Sequence, residues 1–299
     1  MGGPASLLIK HKPSEAETAA EVINDTVTML RKLESDYSRY RKESIISLIN
    51  SRAGTETVTP VDTEARGLLQ FCDSLHKESG GVFDPTVGVL NRAWNFRHSA
   101  LPDPSHVSEL LNFVGWQHLE LDESGVRLTT DQAEVDLGGV VKEYAADKAA
   151  AWIQSYDMTA GIVNLAGDVA TFGSRAEKAP WQIGISDPSL PDEPVVTIEL
   201  TDACVATSGS THRFIDIDGE RHSHFLSPDT GQPIKGCFSV SVIASSCLLA
   251  GGVATVACLK GRSAATDWLN QSGLPWLMVE NNQLSGPIAE QRATRQALR

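Results

Sequence analysis

The order of apolar periodicities along the chain restricts its fold more than any other feature. Helical spacing dominates the first half, and short strand-like runs fill the second. Ala19, Val22, Ile23, Val27, Leu30 and Leu33 predict a helix over residues 14–34, with Ser14 and Glu17 fitting a capping box. Leu68, Leu69, Phe71, Cys72 and Leu75 predict a second over 63–79, closed by Gly80-Gly81. A short helix over 105–114 and a long one over 140–154 follow, with strands at 119–121 and 126–128 between them. One early strand is expected at 6–10. The runs GIVNLAG, WQIGISDP, VVTIEL, CVATSG, RFIDID and SVSVIAS, parted by turn residues, then read as strands. Helices over 248–259 and 262–271 and a last strand over 276–280 complete the pattern. Without strict β-α-β alternation, this order predicts an α+β fold with a mainly antiparallel sheet packed against helices. A single domain spanning 1–299 is expected, with a polar tail at about 288–299 that frays.

Charge and cysteine usage narrow the function. A formal net charge of −13 disfavours nucleic acid, which calls for a basic face. An anionic cofactor would bind through local donors against that field. The five cysteines include no C-x-x-C pair and are read as buried free thiols. The opening MGGPASLLIK has no basic-then-apolar leader, and no apolar run approaches the roughly 20 residues of a membrane span. The expected compartment is the cytoplasm, or the periplasm if a leader has been removed.

Four segments carry chemistry. In EVDLGGVVKEYAADKAA an acidic residue ends a strand, two glycines follow and a helix begins. Gly138 and Gly139 allow close backbone approach, the helix start offers N–H groups to an anion, and Lys142 lies one turn in. A capped helix with a solvated lysine is the plainer reading of that segment taken alone. In GGVFDPTVGVL, Asp84 precedes Pro85 and is biased towards extended backbone, and the plainer reading is a turn that caps the following helix through Asp84 or Thr86. His222 and His224 alternate in RHSHFLSPDTGQP and would share a strand face, with ordinary hydrogen bonding favoured over metal. The strand of AGIVNLAGDVATFG ends at Gly167-Asp168, where backbone can meet a ligand.

Taken in order, these segments resemble the FAD:protein FMN transferases, the ApbE-type proteins. The resemblance rests on F-D-P-T-V-G at Phe83 to Gly88, D-L-G-G-x-x-K at Asp136 to Lys142, and Asn164 to Asp168. It also rests on WQIGISDP, VATSGS, HFLSPDTGQP and SVSVIASSCLLAGGVAT. The resemblance implies a T-fold-like architecture. It implies FAD contacts at Met1, Tyr40, Val82, Phe83, Asp84, Asp136, Lys142 and Leu226, and Mg²⁺ held at the Gly139 carbonyl and Thr255. The implied reaction moves FMN from FAD to a threonine or serine hydroxyl of an acceptor protein and releases AMP, with His224 as a candidate base.

Two positions depart from the family pattern. Gly251 stands where the family usually has a magnesium-binding aspartate, and Ser227 where it has the aspartate of the D-P-x-T-G turn. Two other readings stay in view: an FAD pyrophosphatase giving FMN and AMP at the same site with water as acceptor, and a non-catalytic FAD-binding protein, which these departures favour. Asp168 is one carboxylate that could replace the missing ligand. Gly251 and Thr255 lie four residues apart on one helix face, so Gly251→Asp is expected to restore a metal ligand. A flavin redox enzyme is disfavoured, because no G-x-G-x-x-G fingerprint is present.

Overall fold

The computed structural model describes residues 3–96, 100–187, 190–209, 214–217, 220–236, 238–280 and 283–290. The chain opens with strand β1 (Ala5–Ile9) and helix α1 (Ala16–Tyr37), whose Ala19, Val22, Leu30 and Leu33 face the core. The expected capping box at Ser14 and Glu17 does not form. Pro13 starts a tight 3₁₀ turn instead, and Glu15 accepts the Lys12 N–H at 2.9 Å, moving the cap back along the chain. A helix not read from the sequence, α2 (Ile45–Ser51), follows, with Ser44 accepting the Ser47 N–H. Helix α3 (Thr63–Ser79) has the predicted bounds, capped by Asp62 and ended by Gly80 in the left-handed region at φ 73°. A 3₁₀ segment, Pro85–Arg92, precedes α4 (Pro104–Leu111), and the hairpin β2 (Leu119–Asp122) and β3 (Gly125–Leu128) comes next.

The second half builds the sheet. Helix α5 (Val141–Gln154) leads into β4 (Gly161–Leu165) and β5 (Asp168–Phe172). Strands β6 (Trp181–Asp187) and β7 (Leu190–Leu200) form a hairpin, followed by β8 (Cys204–Gly209) and the ribbon β9 (Phe214–Ile217) and β10 (Glu220–Ser223). Strand β11 (Phe238–Ala244), helix α6 (Cys247–Gln271), β12 (Trp276–Glu280) and β13 (Gln283–Ser285) finish the order. Gly261, at φ 72° and ψ 166°, breaks α6 where the sequence places a gap between two helices. The last strand is therefore β13 rather than the predicted one at 276–280.

The main sheet runs β1-β4-β5-β8-β11-β12-β13, and its pairings are antiparallel. Its central strands β5, β8, β11 and β12 are buried on both faces, and alternate residues separate the two sides. Ala170, Cys204, Ala206, Val240, Val242 and Met278 pack towards the helical side, where α5 and α6 lie. Val169, Val205, Leu277 and Val279 pack with Ile185, Val196 and Ile198 of the β6–β7 hairpin. Ile288, at the start of the tail expected to fray, is buried in that second layer; residues 291–299 lie outside those described. Among the described residues, no helix is long and apolar enough to cross a membrane. The free cysteines Cys72, Cys204, Cys247 and Cys258 are buried, whereas Cys237 lies outside the described residues.

Candidate functional site

A cleft of about 900 Å³ opens where the start of α5, the first half of α6, the β4–β5 turn, the end of β8 and the β6–β7 hairpin converge. Cofactor pockets run from roughly 300 to 1,000 Å³, so this cleft has room for a large ligand. The β4–β5 turn is a two-residue hairpin with Ala166 at φ 54° and Gly167 at φ 98°, as the twist of paired strands favours. Asn164 braces it by accepting the Gly167 N–H at 2.9 Å. The α5 N-cap, Val140, provides no side-chain cap. Upstream, Asp136 accepts the Gly138 N–H at 2.8 Å and folds the double glycine into the cleft wall.

Of the residues singled out in the sequence, Tyr40, Asp136, Gly139, Lys142, His224 and Thr255 line this cleft together. Tyr40 is 78% exposed, and the Arg39 guanidinium lies 5.4 Å from its ring centre. His224 follows the end of β10 and lies against Phe225, with ring centres 4.2 Å apart. His222 instead lies near Trp94, with ring centres 6.2 Å apart, so the pair does not form a shared strand face. Val82, Phe83, Asp84 and Leu226 do not line the cleft. Val82 and Phe83 pack into the core, Phe83 beneath Gly139, and Leu226 is buried with Val89, Leu90 and Trp94. Asp84 is a buried structural hub: its carboxylate accepts from the Thr86 N–H, the Thr86 hydroxyl and the Trp116 N–H. Ser227 organises its own turn by accepting the Asp229 N–H. Met1 lies outside the described residues.

Charge in the cleft is unevenly supplied. Arg39 and Lys142 are its lining Arg/Lys cations, against the carboxylates Glu34, Asp136, Glu143 and Asp187. Both cations are already engaged. Arg39 contacts Asp136 at 3.4 Å and Glu134 at 3.3 Å. Lys142 is in tight contact with the Asp168 carboxylate and lies 3.3 Å from Glu143 Oε1. The other Glu143 oxygen, Oε2, is buried with no hydrogen-bond partner. Burial pushes the Glu143 carboxyl above the usual carboxylate range, and the Lys142 charge opposes that shift only in part. Thr255 and Ser208 share a hydrogen bond at 2.8 Å beside it.

Sequence reasoning did not single out Arg39, Glu143 or Ser208. Arg39 directly precedes Tyr40 and Glu143 directly follows Lys142, but periodicity marks neither. A separate group, Asp147, Cys204 and Cys247, brings its ligand-type atoms within 4.8 Å of one another. Its carboxylate caps α6, accepting the Cys247 and Leu248 N–H groups at 2.6 and 2.9 Å. The hydrogen bond to Cys204 and burial push the Cys247 thiol far up, so this group reads as a buried helix cap.

Known proteins resemble this chain in sequence and architecture. A match to the ApbE family spans residues 1–278. The FAD:protein FMN transferase of Vibrio cholerae is 30% identical over 257 residues, covering 84% of this chain and 77% of the relative. That of Treponema pallidum is 29% identical over 265 residues, covering 81% and 73%. The crystal structure of the Thermotoga maritima ApbE protein superposes with a TM-score of 0.85 at 27% identity, covering 97% of this chain and 95% of that one. The flavin transferase ApbE of Vibrio cholerae gives 0.83 at 25% identity, covering 96% and 93%.

Proposed function

The chain belongs to the ApbE family, and from that membership we propose that it transfers FMN from FAD to a threonine or serine hydroxyl of an acceptor protein. The observation that carries this reading is the cleft, which joins an aromatic ring, a glycine-rich helix start and a lysine in one space. Tyr40 offers a face on which a flat ring system can stack. The Gly138-Gly139 turn and Lys142 suit the diphosphate, through close backbone approach and a charge-assisted hydrogen bond.

The acceptor oxygen attacks the phosphorus of the FMN half. The bond from that phosphorus to the bridging oxygen breaks, and AMP departs with the electron pair. We assign His224, on the cleft wall, to accept the hydroxyl proton. The cleft also fits a hard divalent cation. It carries oxygen donors in the Thr255 hydroxyl, the Gly139 backbone and a buried carboxylate, and its lining Arg/Lys cations are already paired. A bound magnesium ion would neutralise the diphosphate and the charge gathering on the leaving AMP.

The test is incubation with FAD, Mg²⁺ and a protein domain carrying an acceptor threonine. Covalent flavin on the acceptor and AMP in equal amounts support transfer. AMP with free FMN identifies a hydrolase, and intact FAD held in the cleft identifies a binder; either result overturns the proposal.

A further inference from the structure

Helices α5 and α6 pack against each other beside the cleft, and one side-chain volume between them is shared. A Cβ added to Gly251 would lie 2.4 Å from Glu143 Cγ and 3.2 Å from its Cδ. Real Cβ atoms do not approach carbon so closely. The bare backbone at Gly251 is therefore what gives the Glu143 side chain its place. Gly251 and Thr255 are one turn apart on α6, so Glu143 is delivered from the neighbouring helix to the face that carries Thr255.

Glu143 is 5% exposed, and its Oε2 has no hydrogen-bond partner. An uncompensated buried carboxylate oxygen is costly and calls for a partner. Among the neighbouring carboxylates, Asp168 is committed: it accepts the Thr207 N–H at 3.1 Å through Oδ1 and meets Lys142 through Oδ2. Asp168, the replacement considered from sequence, is thus the less available group. Glu143 shares the cleft wall with hard oxygens, including the paired hydroxyls of Thr255 and Ser208. Such a set suits Mg²⁺ or Mn²⁺.

We propose that Glu143, seated in the space left by Gly251, is the carboxylate ligand of a divalent cation in this cleft. The carboxylate has moved from one helix to its neighbour while its position in space is kept. This inference deepens the reading of the cleft as an FAD site and rests on it.

The test uses Mn²⁺ as probe, with unbound Mn²⁺ read by electron paramagnetic resonance in the presence of FAD. FAD binding is measured separately in EDTA. The full chain should hold Mn²⁺, and Glu143→Gln should weaken it by about tenfold or more, as loss of a charged partner does. In EDTA, Glu143→Gln should melt at or above the wild-type temperature, because it relieves a buried carboxylate whose Oε2 has no hydrogen-bond partner. The exchanged pair, Glu143→Ala with Gly251→Asp, should recover Mn²⁺ affinity relative to Glu143→Ala alone. Mn²⁺ bound equally well by Glu143→Gln overturns the inference. So does a wild type that binds FAD but no Mn²⁺, which would leave the diphosphate to the arginine and lysine of the cleft. Loss of FAD binding with Mn²⁺ still held through Glu143 would instead sink the flavin reading and spare the cation site.

Discussion

Gly251→Asp, introduced alone, should destabilise the protein rather than restore a metal ligand. The new Cβ would fall 2.4 Å from Glu143 Cγ, so one side chain has to leave the shared space. Overpacking of this kind costs about 1–3 kcal/mol. A second carboxylate beside Glu143 adds like-charge repulsion, limited by proton uptake on a group whose affinity for protons burial already raises. Replacing glycine by aspartate in a helix returns only about 0.3–0.5 kcal/mol. The net loss is about 1–3 kcal/mol, which at roughly 2–4 °C per kcal/mol lowers the melting temperature by roughly 2–12 °C. Differential scanning calorimetry in EDTA measures it, with Glu143→Ala/Gly251→Asp as the relieved partner. A Gly251→Asp variant that melts with wild type, or a double variant no more stable than Gly251→Asp, would refute the shared-volume argument.

Other expectations follow from where the side chains sit. Lys142→Ala should weaken FAD binding about tenfold or more, the worth of a charge-assisted hydrogen bond. Lys148→Ala should leave it unchanged, since that lysine pairs with Glu64 away from the cleft; equal effects in a fluorescence titration would sink the assignment of Lys142. Asp84→Ala leaves buried donors at Thr86 and Trp116 without an acceptor and should cost about 3 kcal/mol or more in urea denaturation. A stable Asp84→Ala variant that merely loses FAD affinity would show Asp84 to be a ligand contact rather than a hub.

Local pattern made much of this fold legible. The bounds of α3 follow from its apolar stripe and glycine stop, and the break in α6 at Gly261 falls where the two predicted helices part. The D-L-G-G turn, Lys142 and Thr255 were readable as a ligand-facing set, and they do meet in one cleft. The short α2 was missed because seven residues give too few turns for a periodic signal. The resemblance implies a ligand contact at Asp84; its carboxylate caps the Pro85–Arg92 segment, as its place before Pro85 allowed, and also accepts from the Thr86 hydroxyl and the Trp116 N–H. Glu143 was invisible for a different reason. Its meaning lies in contact with Gly251, more than a hundred positions away, and no periodicity within either helix reports that pairing.

One crystallographic measurement bears most directly on the account: anomalous scattering from crystals of the full chain soaked with FAD and Mn²⁺. The account expects FAD density in the cleft beside Tyr40 and Lys142, with a manganese peak bonded to the Glu143 carboxylate on the Thr255 side. FAD bound with no manganese peak at Glu143, or a peak only at the Asp147, Cys204 and Cys247 group, would contradict it.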